Sequence, residues 1–142
     1  MKHYYLSILL LFAGLIANAQ SGMATGKNTD SKIREVYGNQ TETMIMNDKD
    51  RKQLLADMLQ TRAILVNQAE SSSEKFPKIS SVPLFNKYNP ELERDTTGPA
   101  FNPDTFNVLK YKIPLTANRT LVYRIDGTNY LLVVNPQIVA KS

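Results

Sequence analysis

At 142 residues, 42% hydrophobic and 21% charged, the chain has the size and composition of one domain with a real core, too small for a deep multi-lobed active site. Its net charge of +4 is spread thinly and is too weak for a nucleic-acid footprint, so no nucleic-acid partner is expected. There is no Cys, and the single His is His3, so the rest of the chain lacks His-based and Cys-based nucleophilic sites, His general bases and the usual zinc, copper and haem ligands.

Met1-Lys2-His3 gives a short positive end, Leu6 to Ala13 an apolar stretch, and Ala17-Asn18-Ala19 a small-x-small site. This is the three-part pattern of a secretory signal, with cleavage expected after Ala19 and a working chain of about 123 residues. Asn18 and Gln20 interrupt the run before it reaches the roughly twenty apolar residues of a membrane anchor, and no later segment does so, so no transmembrane segment is expected after cleavage. Removal of Lys2 with the signal lowers the charge by one and takes His3 away. An exported chain without Cys must hold together by packing alone, which favours a bacterial envelope protein in the periplasm. The sequons at Asn39 and Asn118 then carry no weight.

Residues 20–30 read as a flexible leader, 31–137 as a single α+β domain and 138–142 as a C-terminal tail. Ile33, Val36 and Tyr37 stand at i, i+3 and i+4 and stop at Gly38, which predicts about two turns of helix. Thr41 to Met46 reads as extended. The principal amphipathic helix follows, with Asn47 as its N-cap, Asp48 and Asp50 at the positive end of the dipole, and Leu54, Leu55, Met58 and Leu59 as its apolar stripe. Ala63 to Val66 fits either a helix continuation or a buried strand, and the strand is preferred.

After the Ser-rich gap from Glu70 to Glu74, five of the seven prolines fall between Pro77 and Pro103, with Phe76, Phe85, Tyr88 and Phe101 threaded among them. Proline lacks the amide of a ladder and biases its predecessor to extended geometry, so a long extended belt laid across the sheet is expected. Phe106 to Ile113 reads as a strand. Thr120 to Ile125, Asp126-Gly127 and Thr128 to Val134 predict a C-terminal hairpin in a small, mainly antiparallel sheet, with Asp-Gly supplying the positive φ angles of a tight turn. Leu121, Tyr123 and Ile125 share one face, as do Tyr130, Leu132 and Val134. Leu131 and Val133 make the return strand apolar on both sides and therefore central.

The blocks Phe76-Pro77-Lys78-Ile79, Val82-Pro83-Leu84, Asn86 to Pro90, Phe106-Asn107 with Leu109-Lys110-Tyr111, Tyr123 to Asp126 and Asn129 to Val134 with Pro136-Gln137 resemble small exported proteins of the Bacteroidota, flavobacteria in particular. The resemblance spans roughly residues 31–137 and implies a compartment, with no catalytic residue to carry over. Asp95-Thr96-Thr97 is similar to the O-glycosylation acceptor of exported proteins in that group, which makes Thr96 a candidate acceptor.

Other chemistries fail on spacing. Ser72-Ser73-Glu74-Lys75 has the Ser-x-x-Lys spacing of serine acyl-enzymes without their further motifs, Gly22 to Lys27 has the wrong glycine gap for a phosphate loop, and Asp48-Lys49-Asp50 lacks the Gly and closing Glu of a calcium loop. No catalytic residue, cofactor or metal site is expected. Two readings remain. One is a non-enzymatic, envelope-associated accessory that binds a protein partner, with Phe76, Phe85, Tyr88 and Phe101 as contact residues or belt anchors. The alternative is a carboxylate-dependent glycan hydrolase, drawing its pair from Glu70, Glu74, Glu91, Glu93, Asp95 and Asp104, or a binder of glycans or small molecules. The sequence leaves the oligomeric state open.

Overall fold

A computed structural model describes residues 26–68 and 75–137. The expected signal with its expected cleavage at Ala19, residues 20–25, the polar gap at 70–74 and the tail at 138–142 lie outside the described residues. The architecture is α+β: helices α1 (Gly26–Tyr37) and α2 (Lys49–Asp57) accompany strands β1 (Ala63–Asn67), β2 (Leu121–Arg124) and β3 (Tyr130–Val134). The three strands form one antiparallel sheet in the order β1-β3-β2.

Two helices carry the helical layer, and the first is longer than the expected two turns. Helix α1 is twelve residues long and begins inside the stretch expected to be leader. Its inner face is Thr29, Lys32, Ile33, Val36 and Tyr37, all buried at helical spacing. Hydropathy alone reveals three of these five, because Thr29 and Lys32 are polar. They are accommodated by other elements: Gln60 Nε2 donates to Thr29 Oγ1, and the Lys32 ammonium feels the charges of Asp95, Glu35 and Asp104 while its backbone carbonyl accepts from the Asn107 side-chain amide. Gly38 ends the helix at φ +54°, the left-handed geometry that favours glycine.

Glu42–Met46 forms a single wide helical turn, where an extended stretch was expected. The Thr41 hydroxyl donates to the Gly38 carbonyl, and Ile45 alone of the turn is buried, so no alternating apolar face exists to specify a strand. The N-cap of α2 is Asp48, one residue beyond the expected Asn47. Its carboxylate accepts from the amides of Asp50 and Arg51, while Asn47 closes the preceding turn. Leu55, Met58 and Leu59 are buried and Leu54 is half-buried, as the stripe requires. A second wide turn at Met58–Arg62 then converts the helix into β1, which settles the Ala63–Val66 ambiguity as a strand.

Strand β3 is central, pairing Leu65 with Leu132 on one side and Tyr123 with Leu132 on the other. One sheet face places Ala63, Leu65, Leu132 and Val134 in the main core with the helices, joined by Leu121, Tyr123 and Tyr130. The opposite face carries Ile64, Val66, Leu131 and Val133, with Phe76 and Val122 packed against them. Arg62, buried at the head of β1, fastens three segments: its Nε donates to the Asn135 carbonyl and its Nη1 to the Leu115 carbonyl. Burial holds its guanidinium below the usual arginine range, with Asp57 pulling the other way.

The hairpin turn is longer than the expected Asp-Gly pair. Only Gly127 takes a positive φ, and the loop is closed by Ile125 N–H to the Tyr130 carbonyl and Thr128 N–H to the Ile125 carbonyl. Phe106 to Ile113 is not a strand. Asn107 caps a short 3₁₀ turn at Val108–Lys110 through its side-chain oxygen, leaving one isolated antiparallel bridge between Tyr111 and Leu84. Between residues 75 and 105 the chain holds two other single 3₁₀ turns, at Ile79–Ser81 and Gly98–Ala100, and a parallel bridge from Lys78 to Arg124. Among the described residues no helix is long and apolar enough to cross a membrane.

Candidate functional site

Two concave regions meet along residues 107–112. The first is an apolar groove of about 410 Å³ whose walls include Tyr37, Leu55, Phe85, Leu109, Lys112 and Leu115. Its positioning is local. The Phe85 amide donates to the Lys110 carbonyl and the Lys112 amide to the Pro83 carbonyl, so residues 83–85 are clipped to 110–112 and Phe85 is delivered to the groove mouth. There Tyr37, Phe85 and Tyr88 form a three-ring cluster: Tyr37 stacks on Tyr88 at 5.3 Å, and Phe85 meets Tyr37 and Tyr88 at 5.8 Å each. Phe85 and Tyr88 remain half-exposed. Two lysines lie at or beside the opening, and Arg51 nearby is paired with Asp48 at 3.5 Å. Lys112 lines it, Lys87 Nζ lies 5.4 Å above the Tyr88 ring, and Arg51 acts on the Tyr37 phenol. Burial and then Tyr88 raise that phenol, with Arg51 opposing. No carboxylate lines the groove among the described residues.

The second region is a polar cavity of about 260 Å³ built around Lys110, whose side chain is only 8% exposed. Its Nζ lies 2.9 Å from Glu35 Oε1 and 3.2 Å from Asp95 Oδ1. Asp95 also accepts from the Tyr111 hydroxyl at 3.1 Å and from the Asn107 amide at 3.3 Å, and its own amide donates to Tyr111 Oη. Asn107 completes the network by donating to Glu35 Oε2 at 3.0 Å. Arg94 closes one wall, donating to the Val82 carbonyl at 2.7 Å with its guanidinium 5.8 Å from the Tyr111 ring centre. The 3₁₀ turn explains this division: Lys110 faces the cavity while Leu109 lines the groove, and the ring of Tyr111 lines the groove while its hydroxyl serves the cavity.

Burial sets the electrostatics here. It raises the Asp95 carboxyl, because one cation and three hydrogen bonds do not offset lost hydration. Burial alone would lower Lys110, but its hydrogen bond to Glu35 and the charges of Asp95 and Glu35 outweigh it and leave the ammonium raised. The two directions agree physically: Lys110 has two carboxylates, whereas Asp95 has one ammonium. Lys32, buried nearby, is lowered by desolvation against the pull of Asp95, Glu35 and Asp104. Burial, followed by the Asp95 charge, pushes the Tyr111 phenol far up, so it stays a donor.

No family model, curated protein or solved structure matches this chain. Function is therefore argued from its own side chains.

The four aromatic residues singled out in the sequence do not converge. Phe85 and Tyr88 meet at the groove. Phe101 lies 5.3 Å from Tyr130 and 5.9 Å from Phe106, beside the hairpin, and Phe76 packs under the opposite sheet face. Thr96 is exposed on the rim of the polar cavity, next to the enclosed Asp95. Among the hydrolase carboxylates, Glu70 and Glu74 lie outside the described residues, and Glu91, Glu93 and Asp104 are exposed. Asp95 does meet a second carboxylate, Glu35, but Lys110 sits between them and binds both. A scissile oxygen would have to displace that ammonium, so the arrangement does not present an acid and a base across an open gap. Among the described residues no cluster of three His, Cys, Asp or Glu could hold a metal.

Sequence reasoning missed Tyr37 as the third ring and the whole Glu35–Lys110–Asn107–Tyr111 network. One signal was available: Lys110 is a charge inside the apolar run from Phe106 to Ile113, which predicts a buried partner.

Proposed function

We propose that this chain is a non-enzymatic, exported accessory of the cell envelope that binds a protein partner through the Tyr37–Phe85–Tyr88 groove. The groove itself carries the reading: an apolar trough with two half-exposed rings at its mouth, lined by Lys112 and with Lys87 beside Tyr88. Its occupant is an extended protein segment with a bulky apolar side chain beside an acidic one. The apolar side chain fills the trough, where aromatic contact is strongest, and the acidic one meets the two lysines. In this reading the Pro-rich segment is a pre-extended belt that loses little entropy when it presents Phe85 and Tyr88. Phe76 and Phe101 are belt anchors. The signal-like first nineteen residues and the absence of Cys support the envelope as the place of action.

Site-specific photo-crosslinking tests this. A photoreactive residue placed at exposed Asn86, between Phe85 and Lys87, is irradiated in the producing cell and the attached fragment is sequenced by mass spectrometry. A fragment of another protein that carries a large apolar side chain within a few residues of Asp or Glu is expected. A basic or wholly polar fragment, a glycan, or a second copy of this chain would overturn the reading.

A further inference from the structure

The cavity beside Lys110 is separate from the groove and has its own chemistry. Its charged walls, Glu35, Arg94, Asp95 and Lys110, sum to zero, and three of them already satisfy one another. An anion entering would face two carboxylates, and a cation would face Lys110 and Arg94. A neutral ligand meets neither penalty. Unused hydrogen-bonding capacity remains at the wall. An ammonium has three donors, and only two from Lys110 are engaged, by Glu35 and Asp95. The Asn102 side-chain oxygen accepts from the Asp104 amide and its carbonyl from the Thr105 hydroxyl, which leaves its amide group to donate. Glu35, 44% exposed, keeps acceptor lone pairs, and Thr96 adds an exposed hydroxyl. Donors and acceptors thus both line a small polar space, and several are charge-assisted. At about 260 Å³ the cavity lies below the range of about 300–1,000 Å³ that drug-sized ligands fill.

We propose that this cavity binds a single neutral sugar ring or a polyol of similar size. Hydroxyl groups that both donate and accept match a wall that offers both, and they leave the Glu35–Lys110–Asp95 network intact. Arg94 covers the Tyr111 ring, so recognition is by hydrogen bonds without aromatic stacking. Specificity lies in hydroxyl number and spacing.

The test is a titration of the purified, ¹⁵N-labelled protein followed by amide chemical shifts. Glucose, galactose and N-acetylglucosamine are the probes, with inorganic phosphate, glycine betaine and putrescine as charged controls. At least one sugar is expected to give saturable shifts at Thr96, Asn102, Thr105 and Lys110, and N102A is expected to weaken its binding at least tenfold. Asn102 is exposed but its side chain accepts from the Asp104 amide, so the amide spectrum of the variant must match the wild type outside residues 102–105. K112E, in the groove, leaves the sugar affinity unchanged and so separates this site from the peptide-binding reading. Failure of all three sugars to saturate, shifts clustered elsewhere, tighter binding of a charged control, or an unaffected N102A would each overturn the proposal.

Discussion

Asp95 holds three groups with one side chain. It accepts from Lys110, Tyr111 and the Asn107 amide, and its backbone binds Tyr111 again, while only 10% of its side chain is exposed. A carboxyl raised by burial keeps its proton in the folded chain over a pH interval where the unfolded chain has already lost it. Its contribution to stability is therefore full below the ordinary 3.8 and is lost as pH rises through the raised value. Lys110 is also raised, so its contribution is full below 10.5 and fades only above that. Between these windows the Lys110 contribution is present and the Asp95 one is gone, so the two partners of this buried pair act in opposite senses. The D95N variant removes the acid-range titration. In urea unfolding from pH 3 to 7, the stability of the wild type relative to D95N is expected to fall as pH rises. A difference that is flat or rises with pH would contradict the raised carboxyl.

At the scale of elements, the hairpin turn is fastened to the segment 75–105. Asp126 accepts from the Ser80 hydroxyl and amide, and its carbonyl accepts from the Gly98 amide. Gly127 and Gly98 both take positive φ, and a Cβ on Gly127 would come within 3.0 Å of the Gly98 Cα. A methyl at Gly127 therefore presses on the Gly98 backbone, which must give by a few tenths of an ångström, whereas one at Gly98 meets open space. The variant G127A is expected to cost more than the ~1–2 kcal/mol of left-handed strain alone, and G98A about that strain. Denaturant midpoints of the two variants check this, and an equal loss in both would remove the close approach from the account. The hairpin strands were legible because their two-residue period and two-sided apolar return strand are local properties. The turn was not, because its length is set by contacts with residues 80 and 98, far away in sequence. The same holds elsewhere. Strand β1 was legible from its apolar run, whereas α1 was half hidden because Thr29 and Lys32 are buried through partners on other elements. Phe106 to Ile113 misled because β-forming composition cannot reveal that Asn107 will cap a turn.

Across the whole molecule, one short segment serves two surfaces. Residues 107–112 present Lys110 to a charge-neutral polar cavity and Leu109 and Lys112 to an apolar groove, with Tyr111 as the shared wall. Of the candidate site, the sequence disclosed Phe85 and Tyr88, which stand out among prolines. It did not disclose their partner Tyr37, contributed from a helix some fifty residues earlier in the chain. The central claim is that the groove takes an apolar segment with acidic character, and its electrostatics supply the sharpest discriminator. Lys87 and Lys112 are exposed, and substitutions at such positions usually change stability by no more than about 0.5 kcal/mol. The decisive measurement is the yield of the position-86 photo-adduct for wild type and for the double variant K87E/K112E, from 50 to 500 mM salt. The account predicts a wild-type yield that declines with salt and a several-fold lower yield for the variant at low salt, with unfolding midpoints alike. Equal yields for both proteins at every salt concentration would contradict it.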